Sequence, residues 1–173
     1  MRYKASKFCR LCKSKKLTTI LKLTPTPWAD DFRVKNKLHL KQPLVPLNIN
    51  LCNKCKHAQL SHVMEAQDIY LNYTYETASS PTLKAHFKSA SSKILQKFKP
   101  EKNGLVVDIG SNDGMLLSFF KKKGMQVLGI DPMPGIANKA NKKGIKTLSK
   151  FFSAKYSKTM SSKFGKASII TAN

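Results

Sequence analysis

Residues 104–131, GLVVDIGSNDGMLLSFFKKKGMQVLGID, decide the fold. A short apolar run, LVVDI, is followed by a turn with two glycines, an amphipathic stretch that ends at Gly124, and a second apolar run closing on Asp131. Short apolar runs bounded by glycine read as buried strands, and glycine after an amphipathic stretch marks a helix C-terminus needing positive φ. The alternation continues through PGIANKANKKG, ending at Gly144, then IKTLS, a further helical stretch and KASIITAN. Strands joined by helices imply a parallel sheet with right-handed crossovers, an α/β fold. The sequence stops at Asn173 on the fourth strand, whereas parallel sheets are normally covered on both faces, so a truncated sheet is expected.

The DIGSNDG turn defines a ligand class. Gly110 and Gly114 leave room for a ligand to approach the backbone where a strand passes into a helix, whose N–H groups face it. Asp131 closes the next strand about 20 residues downstream, where an acid accepts hydrogen bonds from ribose hydroxyls. The ligand therefore contains a nucleoside. The turn lacks the G-x-G-x-x-G of dinucleotide sites and the GK[ST] of phosphate loops. Asp108 would repel a pyrophosphate but suits a cation, and S-adenosylmethionine carries both a sulfonium and an ammonium.

Upstream, residues 67–103 read as a linker loop and a helix. Ser80 is placed to cap that helix, with Pro81 as its first residue, and Leu83, Phe87, Ala90, Ile94, Leu95 and Phe98 fall near one stripe. Residues 1–66 read as a small, loop-rich module, and residues 104–173 as the nucleoside-binding sheet. All four cysteines lie in the first module as CRLC (Cys9, Cys12) and CNKC (Cys52, Cys55). Two such pairs supply four thiolates to one structural Zn²⁺. A closed site of this kind does no chemistry, but it pins a module with too little core to fold alone. His57 is expected to be a bystander.

The formal net charge of +23 over 173 residues would favour a polyanionic partner. The lysines are nevertheless spread along the whole chain and far outnumber arginine, so a solvated Lys-rich surface is expected, with no specific nucleic acid partner. The N-terminus runs straight into a cysteine pair with no secretory pattern, and no apolar run approaches the roughly 20 residues of a membrane span. A cytoplasmic chain without membrane attachment is the expectation.

CRLC, CNKC with AQLSHV, YTYETASSPTLKAHF, VVDIGSNDGMLL, VLGIDP and IITAN occur in an order that resembles a family of S-adenosylmethionine-dependent C-methyltransferases acting on nucleotide-linked deoxysugars. The resemblance covers nearly the whole chain. It implies a zinc-binding N-terminal module and a Rossmann-like methyltransferase domain. It further implies that Asp108, Gly110, Ser111, Asn112 and Gly114 line the methionine part of the cofactor, with Asp131 on the ribose and Pro132 beside the adenosine. Phe151 and Phe152 would flank the adenine, Ala172 and Asn173 would begin the motif after the fourth strand, and Tyr73, Tyr75, Ser79 and Ser80 would close over the cofactor facing the sugar.

In the family the sheet continues and a further domain binds the sugar nucleotide. By that comparison the chain is expected to be an N-terminal fragment, inactive alone, with its base elsewhere. The implied reaction removes a proton beside a sugar ketone, and the enolate carbon takes the methyl group. Tyr73 and Tyr75 are the catalytic candidates within the chain, whereas His57, His62 and His86 earn no assignment. The competing readings are a zinc-ribbon nucleic-acid binder and a noncatalytic cofactor-binding remnant.

Overall fold

In the computed structural model, residues 3–27, 32–70, 77 and 80–172 are described. The chain divides into two compact units, residues 1–73 and 74–173.

The first unit holds β1 (Tyr3–Ala5), β2 (Leu17–Thr26), β3 (Val45–Cys52), β4 (Ala58–Leu60), β5 (His62–Met64) and the short α1 (Ala66–Tyr70). Strands β2, β3 and β4 form an antiparallel sheet in that order, and β1 pairs with β5. The module is thus richer in strand than its sequence suggests. Nearly every residue of β2 is exposed, so the in-and-out contrast that betrays a half-buried strand is missing. Its most deeply buried apolar side chains are Cys9 and Cys52, which places the module's core at the cysteine cluster.

The second unit begins at α2 (Pro81–Phe98). Ser80 caps it as expected, its hydroxyl accepting from the Leu83 N–H at 3.3 Å, and Lys99 ends it in the left-handed conformation. Then follow β6 (Leu105–Ile109), α3 (Met115–Lys121), β7 (Gln126–Asp131), α4 (Pro134–Lys142), β8 (Thr147–Ser149), α5 (Ala154–Phe164) and β9 (Ala167–Ala172). The four strands are parallel in the order β8-β7-β6-β9. The chain therefore steps outward twice from β6 and returns to its other side, so the strand order reverses between β6 and β9. Crevices at such a reversal, outside the carboxyl ends of the strands, are where open α/β sheets bind ligands.

The two faces of this sheet are covered unequally. On one, Phe87 from α2 packs with Leu116, Leu117 and Phe120 of α3, Ala140 of α4 and Val106 of the sheet. Phe98, expected in the same stripe, is instead exposed beyond the packed surface, with the Lys97 ammonium over its ring. On the other face, Met160 of α5 packs on Val107, Leu128 and Ile130. Among the described residues no helix is long and apolar enough to cross a membrane.

Candidate functional site

Three of the five residues from Gly110 to Gly114 adopt positive φ: Gly110 at 73°, Asn112 at 49° and Gly114 at 76°. The turn is folded back onto the end of β7, because the Gly110 and Ser111 N–H groups both donate to the Ile130 carbonyl, at 2.8 and 3.1 Å. Gly114 is required twice over. Its φ is left-handed, and a Cβ there would sit 2.8 Å from the Ile145 Cγ2. Close packing of the first helix on the sheet depends on that missing methyl.

Two carboxylates frame the turn. Asp108, near the end of β6, is only 4% exposed and among the described residues accepts one hydrogen bond, from the Thr171 hydroxyl of β9 at 2.7 Å. Burial pushes its carboxyl up to about 6 from the ordinary 3.8; the Thr171 hydroxyl opposes the shift and the Asp131 charge adds to it. Asp131 is also buried, but it is well supplied with donors: its Oδ2 accepts from the Asn112 N–H and its Oδ1 from the Met133 N–H, both at 2.9 Å. Each oxygen keeps one further lone pair. The Asn112 Oδ1 accepts from the Asp113 N–H at 2.8 Å and from the Thr77 N–H at 3.1 Å, tying the segment before α2 to the turn.

The other expected residues fall in different surroundings. Ser111 is buried with its hydroxyl turned toward β7, where a Cβ on Gly129 would collide with it and with the Thr147 hydroxyl. That hydroxyl has no hydrogen-bond partner among the described residues. Pro132 follows Asp131, and its carbonyl accepts from the Ser149 hydroxyl at 3.4 Å. Ala172 ends β9 opposite Ile109, at the same edge as Asp108 and Asp131. Phe151 and Phe152 are partly exposed, and Phe152 shares a cavity with Leu105 and Val107 on the α5 face of the sheet. Ser80 is engaged as the α2 cap. Tyr73, Tyr75, Ser79 and Asn173 lie outside the described residues.

Asp113, which sequence reasoning passed over, is 1% exposed and serves structure. Its Oδ2 pairs with the Lys143 ammonium at 3.1 Å, and its Oδ1 accepts from the Met115 N–H at 3.3 Å in the first turn of α3. Thr171 was also missed, although an alternating β9 beside β6 puts a side chain at that position next to Asp108. Among the described residues, Asp108 alone of Asp108, Asp113 and Asp131 has neither a cation nor a backbone donor.

In the first unit the two cysteine pairs occupy matching turns. Lys13 and Lys56 both have φ of 62°, and their N–H groups donate back to the Cys9 and Cys52 carbonyls at 2.9 and 2.8 Å. The four sulfurs lie within 4.8 Å of one another, with Cys9 and Cys55 at 3.6 Å and Cys12 and Cys52 at 3.6 Å. A tetrahedron with Zn–S bonds of about 2.3 Å has edges of about 3.8 Å, so the cage fits Zn²⁺ with no open position. The Cys12 N–H lowers the Cys9 thiol and the Cys55 N–H brings the Cys52 thiol down to about 6. At Cys55 the His57 N–H pulls the other way, but burial and the three neighbouring thiols push it up to about 12. The cluster thus releases its first protons readily and holds its last until a metal takes its place. His57 is not among the four ligands. Gln59 braces the first turn, accepting from the Arg10 N–H at 2.7 Å and donating to the Phe8 carbonyl at 3.0 Å.

Residues 9–70 match the family model Methyltransf_13, described as "Putative zinc binding domain". The chain is 25% identical over 162 residues to the C-methyltransferase NovU of Streptomyces niveus, an alignment covering 94% of this chain and 39% of that protein. It therefore spans about two fifths of that relative's length. Among solved structures, the plantazolicin methyltransferase BpumL in complex with SAH overlaps 39% of this chain and 29% of its own, at 25% identity and a TM-score of 0.32. The magnesium protoporphyrin IX methyltransferase ChlM of Synechocystis PCC 6803 with bound SAM overlaps 49% and 46%, at 15% identity and a TM-score of 0.35.

Proposed function

We propose that this chain binds S-adenosylmethionine at the carboxyl ends of β6, β7 and β9 and serves the C-methylation of a nucleotide-linked keto-deoxysugar. The observation that carries the reading is Asp108: a buried carboxyl with one hydroxyl partner among the described residues, at the point where strand order reverses, just before a turn whose Gly110 is exposed. Its raised pKa marks an anion short of stabilising donors. An ammonium or sulfonium placed beside it supplies the missing charge, whereas a pyrophosphate would add repulsion. The turn and its acid thus fit a cationic nucleoside.

The division of labour follows from the hydrogen bonds. Asp131 holds the turn with one lone pair on each oxygen and offers the other two to ribose hydroxyls. Gly110, Asn112 and Gly114 present backbone to the methionyl part, and Ser111 acts through its backbone because its side chain faces β7. Pro132 and Phe151 would border the base, and Tyr73, Tyr75, Ser79 and Asn173 would complete the enclosure, with either tyrosine as candidate catalytic group. When bound, S-adenosylmethionine provides an electrophilic methyl group. The protein's task is then to hold that donor in line with a carbon made nucleophilic by loss of its proton beside a ketone. The similarity to a C-methyltransferase along 94% of this chain supports carbon as the acceptor. The zinc cage takes no part in the chemistry and fixes the first unit.

Isothermal titration of S-adenosylhomocysteine into the zinc-loaded protein tests the cofactor site. Saturable binding at one site, lost in Asp131→Ala, is expected. Absence of heat at millimolar ligand, with zinc bound and the fold intact by circular dichroism, would sink the proposal.

A further inference from the structure

Asp108 has a neighbour in register on each side of β6, Gly129 of β7 and Thr171 of β9. Side chains in register on parallel strands point to the same face of the sheet. Gly129 has no side chain to offer and no room for one, since a Cβ there would collide with the Ser111 and Thr147 hydroxyls. Lateral support for the carboxyl therefore comes from β9. Residues 167, 169 and 171 are the half-buried positions of that strand, and the Thr171 hydroxyl donates to the Asp108 Oδ1 at 2.7 Å. A β-branched side chain has few χ1 choices, so this donor is held in place against the carboxylate.

The other surroundings of Asp108 do not favour its charge. Asp131, at the end of β7, adds repulsion, and burial disfavours the anion. Asp113, in the turn, is paired with Lys143 next to α4, and the helices α2 and α3 turn Phe87, Leu116 and Leu117 toward this face of the sheet. The Thr171 hydroxyl is the group that opposes these effects. We infer that Thr171 is a positioning residue of the cofactor crevice, an assignment that rests on the S-adenosylmethionine reading: its hydroxyl pins one oxygen of the Asp108 carboxylate, favours the anion, and leaves the other oxygen for the ligand's ammonium. Thr171 acts on the ligand through Asp108, so the strand that returns beside β6 sets how firmly the crevice holds a cation.

Three variants of the zinc-loaded chain test the assignment. Thr171→Val keeps the shape without the hydroxyl, Thr171→Ala removes hydroxyl and methyl together, and Thr171→Ser keeps the hydroxyl. Carboxyl carbon NMR shifts of aspartate-labelled protein follow Asp108 without ligand, its signal assigned by its loss in Asp108→Asn. Losing a hydrogen bond to a charged group should raise the midpoint from about 6 by about one pH unit or more in the Val and Ala variants, while Ser stays near wild type. In calorimetry with S-adenosylhomocysteine, Thr171→Val should bind about fivefold more weakly than wild type at pH 6 and within about twofold at pH 8, where the carboxyl is ionised in both. A midpoint unmoved in Val and Ala would overturn the inference, as would affinity lost equally at every pH with Ser no better than Val. Absence of binding in the wild type, with the midpoint still displaced in Val, would instead sink the cofactor reading while upholding the hold of Thr171 on Asp108.

Discussion

Replacing Asp108 by Asn should stabilise the second unit at neutral pH and weaken its ligand. The carboxyl titrates at about 6 in the fold against 3.8 as its ordinary value, a difference worth about 3 kcal/mol at most. Because the folded value is the higher one, the folded state binds the extra proton between these limits. The stability this confers is complete below pH 4 and is lost as pH rises through 6. Asn has no charge to desolvate and still offers an oxygen to the Thr171 hydroxyl. The variant should therefore match the wild type near pH 4 and exceed it by up to about 3 kcal/mol at pH 8, a urea midpoint shift of about 1 M or more for a small domain. Hydrogen exchange at β6 and β7 across a urea series at both pH values isolates the sheet unit. Affinity for S-adenosylhomocysteine, whose ammonium would lie beside this group, should fall in the same variant. A difference from wild type that does not grow with pH, or a variant less stable at pH 8, would refute the argument.

Gly114→Ala and Gly124→Ala share a left-handed φ but differ in surroundings, since a Cβ at Gly124 meets nothing within 4 Å. Gly124→Ala should cost about 1–2 kcal/mol for conformation alone, and Gly114→Ala about 1–3 kcal/mol more for the collision with Ile145, read from urea midpoints. Lys143→Ala, which strips the buried Asp113 of its cation, should destabilise by about 1–3 kcal/mol, whereas the same change at the exposed Lys142 should be near neutral. Chelation should release zinc from the four-cysteine cage and abolish hydrogen-exchange protection in β2 and β3 while sparing β6 and β7; Cys52→Ser should do the same without chelator.

Much of the second unit was legible because its signals are local. Ser80 with Pro81, the glycines at 110, 114, 124 and 144, and the short apolar runs each specify backbone conformation within a few residues. The cysteine spacing likewise announced its own cluster. What escaped notice depends on partners distant in sequence. Asp113 gains its partner only when Lys143, 30 residues on, is folded against it, and Thr171 acquires a role only when β9 returns beside β6. Phe152, an adenine neighbour by the family resemblance, lines a cavity with Leu105 and Val107, a placement that depends on strands distant in sequence. In the first unit, β2 was illegible for the opposite reason: with little buried on either side, its sequence had no pattern to display.

The double engagement of Asp131 makes ribose recognition and turn order two uses of one side chain. The carboxylate that would meet the ribose also fastens Asn112 and Met133. Asn112 in turn holds the Thr77 N–H, at the doorstep of α2. Were a nucleoside to engage Asp131, its binding and the Asn112–Thr77 link would be coupled equilibria, each favouring the other by the same factor.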